Sequence, residues 1–136
     1  MTKLFLDTNI VMDLLGQRAP FCQDAMRLFA MSYKKKVQLW VSPMTYATVS
    51  YLLRKHGSEG VKILLSNFRQ LSRVATANER TIDDSLAAQF NDFEDAMQYY
   101  CAVKAKVDAI ITRNGKDFSN SKLPVMTAGE FLASIK

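Results

Sequence analysis

The sequence lacks the features that mark several classes of protein. Its two cysteines, Cys22 and Cys101, lie far apart and in no CxxC or Cys/His spacing, so zinc and redox motifs are unsupported and both are predicted to be small buried apolar residues. The five glycines form no Gly-rich phosphate loop, which argues against a P-loop or a dinucleotide-binding fold. No apolar run is long enough for a membrane span. The N-terminal apolar stretch ends at Asp7 without the core of a secretory signal, so we expect a cytoplasmic protein.

The composition of the chain predicts one folded domain over residues 1–136. Apolar residues make up 49% of the chain, which is enough to bury a core. The net charge of +5 favours a polyanionic partner such as nucleic acid, or an acidic protein. The alternative is that these cations only solvate helix faces. The basic residues lie at positions 34–36, 54 and 55, 69 and 73, 104 and 106, and 113 and 116.

Strand and helix patterns alternate along the chain. This order predicts an α/β fold in which a parallel sheet is covered by helices on both faces. Ligands of such sheets bind beyond the carboxyl ends of the strands. Thr127 and Glu130 have the spacing of a capping box for the last helix. Strands are predicted at residues 3–7, 38–42, 72–75, 108–112 and 124–126, and the other helices at 9–15, 21–33, 44–55, 58–68, 79–89 and 92–106.

Acidic residues stand where predicted strands end or a helix begins. Asp7 closes the first strand, Asp117 lies a few residues past the fourth, and Asp92, Glu94 and Asp95 open one helix. In a doubly wound fold these groups can meet at one edge of the sheet. Carboxylates packed together repel one another unless cations neutralise them. Oxygen ligands of this kind suit Mg²⁺ or Mn²⁺, which can activate water and stabilise a leaving oxygen in phosphodiester hydrolysis.

Each acid also has a purely structural interpretation. Asp7 can form a turn into the next helix. Asp92 can cap its helix with Asp95 at the third position. Asp117 can hold the turn before Phe118. These alternatives stay open at the level of the sequence.

Two other residue types bear on function. His56 is the only histidine, so no histidine pair is available for a metal-free ribonuclease, and its position after two cations suits a helix C-terminus. Phe93, Tyr99 and Tyr100 could stack on RNA bases. Helical spacing places Phe93 and Tyr100 in the core instead.

Three segments together resemble the signature of PIN domains. They are residues 6–11 (LDTNIV), 92–96 (DFEDA) and 111–118 (ITRNGKDF), in the order in which that family has them. The resemblance implies a three-layer α/β/α sandwich with a central, mostly parallel sheet. It also implies a Mg²⁺- or Mn²⁺-dependent endoribonuclease that cleaves single-stranded RNA, often as the toxin of a toxin–antitoxin pair.

The resemblance assigns roles to individual acids. Asp7 and Asp95 would be the principal metal ligands and Asp117 would supply the last acid, so these three are the candidate catalytic residues. Asp92 is a further candidate ligand. Asn114 stands where many members carry Asp, and would be a neutral neighbour of the site.

The same motifs place polar residues around these acids. Thr8 would orient the first carboxylate or contact the phosphate, and Asn9 would brace the loop. Thr112 and Arg113 would support the ligands or bind substrate.

One position departs from the family pattern. Many PIN nucleases carry Glu on the helix after the second strand, where this chain has Thr48. A hydroxyl does not replace the charge, so the site would hold metal more weakly, use one ion, recruit Asp92 or Glu94, or be inactive. A catalytically inactive module that binds RNA or an acidic protein is therefore the alternative to the nuclease. In either case the resemblance implies a small antitoxin partner and a homodimer.

Overall fold

The computed structural model describes residues 1–135 and has a five-stranded sheet at its centre. The strands run in the order β3-β2-β1-β4-β5, and all four pairings are parallel. Every connection between neighbouring strands is therefore a crossover, as the alternation in the sequence predicts. The strands are β1 (Thr2–Leu6), β2 (Val37–Val41), β3 (Arg73–Val74), β4 (Ala109–Ile111) and β5 (Val125–Met126).

Helices cover both faces of this sheet and complete the three layers. Alternate residues of β1 point to opposite faces, so Leu4 and Leu6 join one core cluster and Phe5 joins the other. The first cluster contains residues of the first four helices and the last, and the second contains the sixth. The helices are α1 (Thr8–Leu15), α2 (Cys22–Tyr33), α3 (Pro43–Leu52), α4 (Gly57–Gln70), α5 (Glu79–Ala87), α6 (Phe93–Ala105) and α7 (Ala128–Ser134).

The predicted order of elements is confirmed, and one helix boundary is wrong. The third helix was expected to continue to residue 55, but α3 ends at Leu52 and a 3₁₀ turn follows over Arg54–His56. The His56 N–H bonds the Leu53 carbonyl three residues back, which tightens the chain before Gly57 turns it into α4 at φ 76°. The predicted capping box of α7 is present, with Thr127 and Glu130 each accepting the other's N–H.

The two cysteines are free thiols, as expected, but only one is in the core. Cys101 is buried on α6, whereas Cys22 is half-buried because it begins α2 at the surface. Burial raises the pKa of the Cys101 thiol to about 11, so this thiol is protonated at neutral pH. Over residues 1–135, no helix combines the length and the apolar character needed to cross a bilayer.

Candidate active site

The candidate site lies at the carboxyl ends of the two central strands. Leu6 of β1 pairs with Ile111 of β4, so the residues that follow them, Asp7 and Thr112, are neighbours. The Asp7 N–H donates to the Ile111 carbonyl at 2.9 Å, and the Thr112 hydroxyl donates to Asp7 Oδ2 at 2.8 Å. Parallel pairing therefore brings together two motifs that lie about a hundred residues apart in the sequence.

Neutral donors hold the Asp7 carboxylate in place. Its Oδ1 accepts the Thr8 N–H at 2.9 Å, which caps α1, and its Oδ2 also accepts from Asn9 Nδ2 at 3.4 Å. Gln98 Nε2 donates to Oδ1 at 3.4 Å, and Asp7 itself is only 9% exposed. These bonds orient the carboxylate and satisfy it without a countercharge.

A buried amide connects Asp7 to the start of α3. Gln98, on α6, is 1% exposed, and its Oε1 accepts from the Ser42 hydroxyl at 2.5 Å. Its Nε2 also lies 3.3 Å from the hydroxyls of Thr8 and Thr45. Those two hydroxyls are 3.1 Å apart and bond each other. The network fixes α1, α3 and α6 around the first acid.

Four further acids surround this site, and with Asp7 they form what we call the acid group (Asp7, Asp92, Glu94, Asp95 and Asp117). The pKa of Asp95 is raised to about 7, first by burial and then by the charges of Asp92, Asp7, Asp117 and Glu94. Asp92 caps α6 by accepting the Asp95 N–H at 3.1 Å. Among residues 1–135, ion pairs involve only the carboxylates of other acids, namely Asp13, Asp24 and Asp84. The acid group thus carries uncompensated negative charge.

The donors of the acid group fit a hard dication, although the carboxyls stand apart. In the part of the chain that the structure describes, no three His, Cys, Asp or Glu side chains are close enough together to hold a metal ion. Mutual repulsion of the carboxylates favours such separation. Carboxylate oxygens without a basic partner are nevertheless the ligands that Mg²⁺ and Mn²⁺ prefer.

Comparison with protein families decides what kind of domain this is. The model of the PIN domain family matches residues 3–116, which is most of the chain. The chain belongs to the PIN domain family. The match ends one residue before Asp117, so it includes four of the five residues of the acid group. No curated protein sequence matches this PIN domain.

Solved structures share the same fold at low sequence identity. A toxin–antitoxin complex from Klebsiella pneumoniae is 24% identical with a TM-score of 0.68, and the alignment covers 92% of this PIN domain and 97% of that chain. VapBC2 from Rickettsia felis, bound to a fragment of promoter DNA, is 14% identical with a TM-score of 0.65 and the same coverage. VapC20 of Mycobacterium tuberculosis, a toxin that cleaves the sarcin–ricin loop, is 15% identical with a TM-score of 0.66 over 86% of this chain and 94% of that one.

The structure brings together most of the polar residues that the PIN motifs suggested. Asn9 Nδ2 lies 3.3 Å from Thr112 Oγ1, and Asn9 Oδ1 accepts the Arg113 N–H at 3.4 Å. The Thr112 hydroxyl accepts the Asn114 N–H at 3.1 Å. Asn9 therefore braces the loop after β4. The role of each residue in catalysis stays a prediction.

The side chain of Arg113 is held away from the acid group. Its Nε and Nη2 donate to the Asp13 carboxylate at 2.8 and 3.1 Å, and its guanidinium carbon lies 4.0 Å from the centre of the Phe21 ring. Asp13 is 1% exposed and also accepts from Arg18 Nε at 3.1 Å. This network, which we call the Asp13 network (Asp13, Arg18 and Arg113), anchors the loop after β4 to α1. In this conformation Arg113 supports the structure of the site.

Thr45, rather than Thr48, makes the contact of α3 with the site. Thr45 is buried and bonds Thr8 and Gln98, whereas Thr48 makes no side-chain hydrogen bond among residues 1–135. The two threonines lie three residues apart, so both are on the side of α3 that faces α1. Thr48 is half-buried. The helix α3 (Pro43–Leu52) therefore contributes no acid to the site.

One of the aromatic residues was placed wrongly from the sequence. Phe93 was expected in the core but is 44% exposed, because it is the first residue of α6 and precedes the packed part of the helix. Tyr100, which was also expected in the core, is half-buried, whereas Tyr99 is buried. Phe93 stands directly after Asp92, a member of the acid group.

Sequence reasoning missed Gln98, Ser42 and Asp13. Gln98 lies three residues after Asp95, on the same face of α6, in a stretch of buried residues. A lone amide within an apolar helical face was the signal that could have identified it. Ser42 and Asp13 gave a weaker signal, because a serine before Pro43 and an acid in a short helix are common at solvated positions.

The raised pKa of Asp95 predicts how stability depends on pH. The folded state keeps this proton up to about pH 7, whereas the unfolded chain releases it near 3.8, so the carboxyl disfavours folding increasingly as pH rises between these values. In buffer with EDTA, Asp95→Asn should therefore be more stable than the parent by about 1–2 kcal/mol at pH 8, allowing for solvent screening, and equal to it at about pH 3.5. Thermal melts at several pH values measure this difference. A constant difference across the range would contradict the assignment, and Asp83→Asn on α5 is the exposed control.

Proposed function

We propose that this PIN domain is a Mg²⁺- or Mn²⁺-dependent endoribonuclease that cleaves single-stranded RNA by phosphodiester hydrolysis. The observation that carries the proposal is the acid group, five carboxyls from three segments of the chain, none with a basic partner among residues 1–135. Burial and the charges of the other four raise the pKa of Asp95. Its position at the carboxyl ends of parallel strands is where α/β proteins bind their ligands. VapC20, a structural neighbour, cleaves an RNA loop and supports the substrate class.

Each residue has a defined part in this proposal. Asp7, Asp95 and Asp117 would hold the metal, with Asp92 as a further ligand. A bound dication would neutralise the acid group and supply Lewis-acid assistance at the scissile phosphate. The chain's own part is to fix Asp7: Thr8, Asn9 and Thr112 donate to it, and Gln98 keeps it oriented. Thr8 would orient Asp7 or contact the phosphate, and the exposed Asn114 would be a neutral neighbour of the site.

Metal binding can be measured directly by titration calorimetry. The parent chain should give a saturable heat with Mn²⁺, because the dication relieves repulsion among the carboxylates. Asp7→Asn removes one charged ligand and should weaken binding by at least about 10-fold. Asp83→Asn loses the same charge on the outer face of α5 and should bind as the parent does.

Equal heats in the parent and in Asp7→Asn would contradict the metal site. The alternative, an inactive module that binds RNA or an acidic protein, then becomes the better interpretation. The neutral Thr48 and the separation of the carboxyls favour that second function. It is distinguished by salt-sensitive RNA binding that EDTA does not change.

We further propose that the chain is the toxin of a toxin–antitoxin pair, with a small antitoxin as its partner. Three of the structures that share its fold are described as VapBC or toxin–antitoxin complexes. The proposed RNA substrate suits a cytoplasmic location. Co-purification with the product of an adjacent small reading frame tests the partner. Light scattering tests the homodimer that the family resemblance implies.

A further inference from the structure

A cavity lined by basic residues lies at the opposite end of the sheet from the acid group. It has a volume of about 800 Å³ and lies between the end of α2, the start of β2 and the segment from α4 to β3. Val37 in its wall pairs with Thr2 at the first residue of β1, whereas Asp7 follows the last residue of that strand. The two sites are therefore about 17 Å apart along β1. We call this cavity the amino-end groove; its charged and aromatic lining residues are Tyr33, Lys35, Arg69 and Arg73.

The charge of the amino-end groove has one sign. Lys35, Arg69 and Arg73 line it, and no acidic residue does. None of these three cations takes part in an ion pair among residues 1–135. The Arg69 guanidinium is positioned by a bond to the Ser72 carbonyl at 2.9 Å. A concave, unneutralised basic surface attracts polyanions.

Lys35 has a backbone conformation that residues other than glycine rarely adopt. Lys35 has φ 60°, a left-handed conformation that glycine adopts at helix C-termini without strain. Its N–H bonds the Ser32 carbonyl and the Lys36 N–H bonds the Met31 carbonyl, both at 2.9 Å, which closes α2. A lysine here costs about 1 kcal/mol relative to the glycine that the turn favours. The turn holds this cation at the rim of the groove.

An exposed aromatic ring stands beside these cations. Tyr33 is 76% exposed, although it belongs to the last turn of α2 and lines the groove. Arg73 also lines the groove, and its guanidinium lies 6.0 Å from the ring centre of Trp40. Basic side chains that follow a phosphate backbone, with an aromatic ring on which a base can stack, are the usual components of a single-strand-binding surface.

We propose that the amino-end groove binds the backbone of single-stranded RNA at a distance from the bond to be cut. Lys35, Arg69 and Arg73 contact phosphates, and Tyr33 stacks on a base. The inference rests on the proposed function for its choice of RNA. The groove acts on affinity for long substrates and takes no part in the chemistry at the acid group.

The test measures RNA binding in EDTA, so that it does not depend on metal or cleavage. The probe is fluorescein-labelled oligouridylate of about 20 nucleotides, and the variant is Lys35→Gly with Arg73→Gln, which removes two phosphate contacts and preserves the turn. The plot of log affinity against log salt should become shallower by about 1.4, with affinity falling about 10- to 30-fold at 0.1 M salt. The matched control, Lys55→Gln with Lys62→Gln, loses the same charge at exposed sites that do not line the groove and should change affinity less than about 2-fold.

Equal losses in the groove variant and in the control would overturn the proposal, since net charge alone would then explain binding. An unchanged affinity in the groove variant, with its fold confirmed by circular dichroism, would overturn it as well. So would displacement of the RNA by polyglutamate as effectively as by unlabelled RNA, because the groove would then suit an acidic protein. Tyr33→Ala should weaken binding about 5- to 10-fold without changing the salt slope.

Cleavage assays separate this proposal from the nuclease proposal. In the groove variant, KM for the long oligonucleotide should rise while kcat stays constant. Cleavage of a dinucleotide, which is too short to reach from the acid group to a groove about 17 Å away, should be unaffected. If the parent cleaves nothing but the binding results hold, the nuclease proposal fails and the groove stands.

Discussion

Replacing Asp7 by asparagine is expected to lower the rate of Mn²⁺-stimulated RNA cleavage by at least about 100-fold. Asparagine retains one acceptor oxygen for the Thr8 N–H that caps α1, so the fold should survive the change. It removes the charge on the carboxylate nearest the sheet, and with it the attraction for a dication. Rates of cleavage of a labelled single-stranded RNA, with and without EDTA, measure the effect. Asp95→Asn should give a loss of similar size.

The control for this experiment is a variant of an exposed acid on α5, Asp83→Asn. Asp83 is exposed, forms no ion pair among residues 1–135 and lies outside the acid group. Asp83→Asn should therefore cleave at the rate of the parent. Activity that survives in both Asp7→Asn and Asp95→Asn, or that ignores EDTA, would show that these carboxylates are not the catalytic ones.

Removal of the Asp13 carboxylate should be the most destabilising single change in the site region. Asp13→Ala leaves Arg18 and Arg113 without the acceptor that they share, and it leaves a gap where the side chain is 1% exposed. Breaking a buried pair from one side costs about 3–5 kcal/mol, and the partial exposure of both arginines places the expected loss near about 3 kcal/mol. Urea unfolding followed by circular dichroism measures it.

An exposed ion pair on α2 is the control that separates the effect of burial from the effect of losing a charge. Asp24 pairs with Arg27 at 3.8 Å on the exposed side of α2, and Asp24→Ala should cost less than about 1 kcal/mol. Adding Arg113→Ala to Asp13→Ala should cost little more, because the arginine has already lost its partner. Equal losses for Asp13→Ala and Asp24→Ala would mean that the Asp13 network is no stronger than a surface pair.

The fold was predictable from the sequence because its signals are local. Apolar runs of strand length alternate with amphipathic helical segments, and this order alone implies the parallel sheet. The placement of Asp7 and Asp95 near one edge of the sheet was predictable for the same reason. Asp7 directly follows a strand, and Asp95 lies in the first turn of a helix. The end of α3 was less predictable, because the buried Leu53 continues the apolar spacing while the backbone has already tightened into a 3₁₀ turn.

The supporting residues of the site were not predictable, because their partners are distant in sequence. Gln98 lies 91 residues from Asp7, and Asp13 lies 100 residues from Arg113. An isolated amide or acid in a helix looks like a solvated position until tertiary packing buries it. The family pattern drew attention to Thr48 on α3, whereas the hydrogen bonds to Thr8 and Gln98 come from Thr45, three residues earlier.

The two outer strands of the sheet restrict how two copies of this chain can associate. β3 and β5 form the edges, and each is only two residues long. So short an edge presents too few unpaired N–H and C=O groups for another strand to add in register, a device by which natural sheets resist edge-to-edge aggregation. Self-association of this molecule must therefore proceed through side chains on its helices, and its sheet will not serve as a template for extension into a continuous ribbon.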